Sequence, residues 1–221
     1  MKNETANRLT GLTGVAGALL FFAGDMLFYG HWGSGAKFHD GMLQVLREGS
    51  LQRLFVGGLV GPIAACLCLI GCWHVRRNVI TRSPLLGRVA FLALAATMVI
   101  GSAVHALWVP RGLAIKYSGA VEGIAPELIA ALKDYWYFAY QMAEVPAYVA
   151  AILLFILVLW GKTRYPRWTV FANFGVPSLL APLAVWVPAP FGAVLVGGFT
   201  NLSIALFFFV SVMSTWKDTS A

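Results

Sequence analysis

The chain has 221 residues, 59% of them hydrophobic and 11% charged, with a mean hydropathy of +0.77. A soluble domain is about 45–50% apolar and roughly 25% charged, so this much apolar mass does not fit inside a water-soluble globule. The composition excludes an ordinary soluble enzyme, a disordered chain and a disulfide scaffold. It predicts an all-α, polytopic membrane protein: six transmembrane helices in a single integral membrane domain over 1–221, with short interfacial helices on the outer side. Sixteen Lys and Arg against nine Asp and Glu give a net charge of +7. In a soluble protein that balance would suggest nucleic acid. In this chain the basic residues are expected in loops on the cytoplasmic side, and no nucleic-acid partner is expected.

A helix needs about 20 apolar residues to cross a bilayer. The first such stretch, 9–29, follows Lys2 and Arg8. It is too long for the core of a signal peptide, and Asp25 interrupts it, so it is read as a retained span. Gly11, Gly14 and Gly17 recur in it at three-residue steps. The connection 30–51 holds His31, Trp32 and His39. Within it, Phe38–Glu48 places Phe38, Met42, Val45 and Leu46 near one helical face, which predicts a short helix at the membrane surface.

The second span, 52–75, carries Gly57-x-x-x-Gly61, continued by Ala65. Small residues at this spacing let helices approach closely in lipid, here inside one bundle. It also holds all three cysteines, Cys66, Cys68 and Cys72, read as small apolar residues rather than as a disulfide or zinc pattern. His74 follows beside Arg76 and Arg77 and is expected at the interface. The third span, 89–109, places His105 and Trp108 near its outer end. In the connection 110–134, Ala125–Lys133 predicts a second short amphipathic helix, with Pro126 in its first turn.

The fourth span, 135–160, contains a stripe of Tyr137, Gln141, Glu144 and Tyr148 on one face, with Tyr140 a turn above Glu144. Pro146 should kink it, freeing the carbonyl of Met142. The fifth, 169–187, contains Asn173, Pro177 and Pro182, whose missing N–H groups would free the carbonyls of Asn173 and Ser178. The sixth, 190–213, has Asn201 near its middle. Trp and Tyr cluster at the span ends, as in an aromatic belt. Ten basic residues fall on the side of both termini: Lys2, Arg8, Arg76, Arg77, Arg82, Arg88, Lys162, Arg164, Arg167 and Lys217. Six fall on the other: Lys37, Arg47, Arg53, Arg111, Lys116 and Lys133. Both termini are therefore expected in the cytoplasm, and the membrane is expected to be a bacterial inner membrane.

Charged side chains inside a span are costly and usually face the bundle interior. Asp25, His105 and Glu144 lie at similar depth on three helices and are expected to meet in one outer-half pocket. A carboxyl held in an apolar pocket has its charged form disfavoured, so Glu144 is assigned as general acid and His105 or Asp25 as base. Tyr137, Tyr140, Gln141, Trp108 and Asn201 are assigned to substrate binding. The function these residues suggest is an intramembrane enzyme doing acid–base chemistry on a lipophilic isoprenoid or acyl substrate, with membrane lipid and a lipophilic or small-molecule ligand as partners. Two alternatives stand beside it. One is a proton- or cation-coupled carrier built from two inverted three-span halves, since Asp25…Tyr29 and Glu144…Tyr148 share one spacing. The other is a structural or partner-binding membrane protein. No metal site is expected, because the histidines and acids lack a ligand signature; His31 and His39 folded over the acids would be the one route to such a site. No cofactor motif is present.

Overall fold

The computed structural model describes residues 2–79, 84–118 and 126–216, with the side chains of residues 2 and 3 left aside. Arg82, Lys217 and Ala125, used above in the charge count and in the second surface helix, lie outside the described residues. Among the described residues there are helices and no strand. α1 runs Lys2–Tyr29, α2 Phe38–Glu48, α3 Leu51–Val79, α4 Pro84–Tyr117, α5 Pro126–Leu159, α6 Gly175–Ser178 and α7 Gly192–Ser214. Five of these, α1, α3, α4, α5 and α7, are long and apolar enough to cross a membrane, which makes the protein an all-α polytopic bundle.

The tightest seam is α1 against α3. They run antiparallel, and glycines on both sides let the backbones touch. A Cβ on Gly14 would lie 2.8 Å from the Cα of Gly71, and one on Gly17 would lie 2.7 Å from the Cys68 nitrogen. Further along, Gly57 receives the ring of Phe28. Without a hydrophobic force between helices in lipid, backbone approach of this kind does much of the association. Cys68 and Cys72 are buried in this region and Cys66 faces outward, all three as free thiols.

His74 is not interfacial: it is fully buried at the end of the bundle where the chain begins. Its Nδ1 lies 2.8 Å from the Asn7 carbonyl, which can only accept, so Nδ1 carries the proton. Nε2 must then accept, and Ser211 Oγ stands 2.9 Å away. Ser211 is in turn 2.7 Å from the Tyr165 hydroxyl. The directions that satisfy every group run Tyr165 to Ser211 to His74 to Asn7. Burial raises the Tyr165 pKa well above its ordinary value, so it remains a neutral donor. This chain of bonds joins α1, α3, α7 and the loop after α5. Arg8 Nε also donates to the Trp216 carbonyl at 3.0 Å. The start of α1 and the end of α7 therefore share one end of the bundle, called here the terminal end.

The fifth span does not form as one helix. Residues 167–186 fold into a 3-10 turn at Arg167–Ala172, the short α6, and a second 3-10 turn at Ala181–Trp186. The segment still crosses the bundle. Arg164 N–H donates to the Asn78 carbonyl at the terminal end, and Gly35 N–H donates to the Val187 carbonyl at the opposite, distal end. Pro177 and Pro182 remove two donors within six residues, which an α-helix does not survive. The backbone closes i to i+3 bonds instead, such as Val176 to Asn173 and Leu183 to Leu180. Asn173, whose own carbonyl is thus taken, ties this crossing to α5 through Nδ2 and the Ala151 carbonyl, 2.9 Å apart.

At the distal end α2 forms over the expected residues and turns Met42 and Leu46 into an aromatic cluster with Phe28, Tyr29 and Trp108. It is a cap on the bundle rather than a free surface helix. The second surface helix is absent as a separate element: α4 continues through Pro110 to Tyr117, and Pro126 opens α5 itself. Arg53 closes α1 by donating to the carbonyls of Leu27, Met26 and Gly30 at 2.6–2.7 Å. Lys116 does the same for the end of α2, through the carbonyls of Arg47 and Gly49.

The glycine seam makes a direct prediction. Gly14→Val should lower the unfolding free energy in mixed micelles by about 2 kcal/mol or more, since nothing on α3 can yield. At Gly101 an added Cβ meets nothing within 4 Å. Gly101→Ala should leave stability unchanged or raise it by about 0.5 kcal/mol. Equal effects of the two, read by circular dichroism during SDS titration, would mean that the seam does not set stability.

Candidate functional site

α5 packs along α4 and, toward the terminal end, on the broken crossing, but it scarcely touches α7. The space this leaves is a cavity of about 430 Å³ walled by α1, α2, α4, α5 and α7. Its volume falls in the range of small-molecule sites. From Thr97 to Arg111 on α4, and from Lys133 to Ala147 on α5, it follows each helix for about four turns, a rise of roughly 21 Å at 1.5 Å per residue.

Asp25 and His105 sit within it, each 6% exposed. His105 Nε2 is 3.4 Å from Asp25 Oδ1. Asn201, from α7, donates Nδ2–H to the other carboxyl oxygen, Oδ2, at 2.6 Å. Three helices thus converge on one carboxyl. Glycines make the slot for the imidazole. A methyl on Gly61 would overlap the His105 Cβ, and one on Gly24 would stand 3.1 Å from its Cε1. The rings of Phe21 and Phe28 flank it, with centroids 4.9 and 5.6 Å away. The Tyr29 hydroxyl, one turn beyond Asp25, donates to the Gly197 carbonyl at 3.1 Å.

Toward the distal end the wall becomes aromatic and cationic. Trp108 and Trp136 lie 5.0 Å apart, and Trp136 stacks on Tyr140 at 5.3 Å. The guanidinium of Arg111 rests on both indoles, 4.4 Å from Trp108 and 4.8 Å from Trp136. Such a contact is worth about 0.5–2 kcal/mol, more where water is excluded. Lys133 and His39 reach the same rim.

Of the residues assigned from the sequence, Asp25, His105, Glu144, Tyr137, Tyr140, Trp108 and Asn201 all line this cavity. Gln141 does not, and it is exposed. The inward row of α5 is Lys133, Trp136, Tyr140, Ala143 and Ala147. Tyr137 and Glu144 flank that row, while Gln141 and Tyr148 turn away. The expected stripe follows polar residues, whereas the face that α5 turns inward is mostly aromatic and small. Glu144 is half-buried, next to Tyr140, and is not part of the Asp25–His105–Asn201 group.

Arg111, Trp136 and Thr200 were not singled out by sequence reasoning. In the sequence, Arg111 falls in the connection 110–134, among the basic residues of the outer side. A helix continued through Pro110 would have put Arg111 one turn beyond Trp108, on the His105 face. His31 is held locally by the Tyr29 carbonyl at 3.1 Å. Among the described residues no three His, Cys, Asp or Glu side chains come together as metal ligands would.

The chain belongs to a family of unknown function, DUF6796, whose profile matches residues 1–218. No curated protein and no solved structure matches it.

The geometry predicts coupling between Asp25 and Asn201. In a double-mutant cycle with Asp25→Ala and Asn201→Ala, the interaction energy should be about 0.6–1.7 kcal/mol, between the average and the largest values measured for hydrogen bonds between membrane helices. Strict additivity of the two substitutions in SDS unfolding would remove this link between α1 and α7.

Proposed function

We propose that this protein is an intramembrane enzyme that moves protons on a lipophilic isoprenoid or acyl substrate, with Asp25 and His105 as the proton-handling pair. The observation that carries the reading is the pair itself. An acid and an imidazole stand 3.4 Å apart, nearly out of reach of water, inside a ligand-sized and largely apolar cavity. Contacts of this length tighten when a substrate closes the site. A pair that holds one proton between two sites can give it and take it back. Isomerisation of an unsaturated chain needs just that: a proton added to one carbon of a double bond and a proton removed from the allylic carbon bonded to the other. Positive charge that develops between the two steps would lie among Phe21, Tyr29 and Trp108, whose ring faces attract cations. Asn201 keeps the carboxyl turned toward His105, and Glu144 with Tyr140 offers a second proton relay on the α5 side.

The carrier alternative has less support. Its inverted halves would each need three comparable spans. The first half has α1, α3 and α4 packed in sequence, while the second has a broken crossing and an α5 that hardly meets α7. We read the terminal end as the cytoplasmic side of a bacterial inner membrane. The short loop 160–166 carries Lys162 and Arg164 there, as the positive-inside bias requires. Reporters fused after Trp216 and inserted at Lys116 should report opposite sides, with the first in the cytoplasm; the reverse orientation would invert the assignment.

The chemistry is tested in heavy water. Purified protein incubated in D2O with a lipid extract from its host should place carbon-bound deuterium in an unsaturated lipid, seen by mass spectrometry. Asp25→Asn should abolish the uptake, and Glu144→Gln should slow it less. Uptake that is equal with wild type and Asp25→Asn, or absent with both, would count against the acid–base reading.

A further inference from the structure

The distal end of the cavity contains a cation whose N–H donors no described residue accepts. The other cations nearby have structural work: Arg53 closes α1 and Lys116 closes α2, each on backbone carbonyls. Arg111 is 8% exposed, more buried than a side chain that snorkels to the headgroups. Yet among the described residues no carboxylate pairs with it and no carbonyl accepts from it. Its recorded contacts are the faces of Trp108 and Trp136, which meet its charge but none of its five N–H donors. It lines the cavity, with Lys133 at the rim beside it. A buried guanidinium with unused donors, aimed into a ligand-sized space, is a site for a planar or tetrahedral oxyanion.

We infer that Arg111, assisted by Lys133, binds the anionic head of a single-chain amphiphile whose tail runs along the cavity toward Thr97 and Ala147. The inference rests on the proposed function and deepens it, because it names the substrate class: a carboxylate or phosphate ester on one acyl or isoprenoid chain. The cavity sets both ends of that description. Its distal rim is cationic and aromatic. Its far half is walled mainly by Met98, Gly101, Ala143, Ala147 and Ile204, with no cation there and Glu144 at its α5 edge. At about 430 Å³ it holds one chain and not the two of a phospholipid. A ligand anchored by its head at Arg111 would pass the Asp25–His105 pair about six residues, or roughly 9 Å, further along α4. The reactive bond is thereby placed in the chain and not at the head.

Binding can be read without turnover. The probe is dodecyl [32P]phosphate, measured by scintillation proximity on the protein in phosphatidylcholine nanodiscs, with empty nanodiscs as background. Unlabelled dodecyl phosphate and dodecanoate should compete. Dodecanol should compete at least ten-fold more weakly, and inorganic phosphate should not compete in the same concentration range. Arg111→Gln should weaken binding at least ten-fold and Lys133→Gln about two- to three-fold. If Arg111→Gln does not fold, the comparison of dodecanol with dodecyl phosphate on wild type decides. Dodecanol competing as well as dodecyl phosphate would leave an apolar cavity without a head site, and effective inorganic phosphate would mean a free-anion site; either result overturns the inference, as does unchanged binding by a folded Arg111→Gln. Head-dependent binding without deuterium uptake would sink the enzyme reading and keep this site. Deuterium uptake with head-independent binding would do the opposite.

Discussion

Backbone contact between α1 and α3 is the constraint from which the rest follows. Gly14 and Gly71 meet with no side chain between them, and Gly17 lies on the backbone of α3 at Ala64 and Cys68. Two helices drawn that close leave one flank of the bundle with little free volume. The two buried histidines lie along that flank, one at the terminal end and one in the cavity. His74 sits over Gly11, and His105 is wedged between Gly24 and Gly61. The other flank is built differently. α5 leans on α4 alone for most of its length, and the space that α5 and α7 do not fill is the cavity. Tight packing on one flank thus holds the Asp25–His105 pair in place, while loose packing on the other leaves room for a ligand to reach it.

Much of this was legible before any coordinates. Five of the six apolar stretches are helices, and α2 forms over the residues whose apolar face predicted it. Seven of the eight assigned site residues line one cavity, because the cost of a charge in lipid leaves few places for it. What was not legible has physical reasons. A single proline at Pro110 lets its helix continue, whereas Pro177 and Pro182 remove two donors in close succession and break theirs. The polar stripe on α5 points to Gln141, but polarity does not mark the inner face of that helix. On that face aromatic and small residues do the packing, and the polar residue beside them turns outward. His74 looked interfacial because arginines follow it. Its burial depends on Ser211 and Asn7, more than 60 residues away on either side, which no local pattern reveals.

The basic residues also divide by use. Counted as loop charges, the six on the distal side dilute the bias that orients the chain. Arg53 and Lys116 cap helices, and Arg111 lies inside the bundle. Three of the six therefore have a place in the architecture that would hold them at the distal end whatever the orientation. The broken crossing has a comparable double character. Its 3-10 turns satisfy much of the backbone internally, as hydrocarbon surroundings demand, while its apolar side chains, such as Leu179 and Trp186, point outward.

In the proposed function a ligand would enter through the gap between α5 and α7, which scarcely touch and are both apolar enough to span a membrane. A molecule that passes through it is already dissolved in the bilayer. Its effective concentration is then a mole fraction among lipids, a two-dimensional quantity. Adding detergent or inert lipid at constant bulk concentration spreads the same molecules over a larger surface and lowers occupancy, although nothing in the aqueous phase has changed. Under the proposed function, saturation of this cavity would be measured on a scale of surface density, on which a poorly water-soluble chain can be abundant.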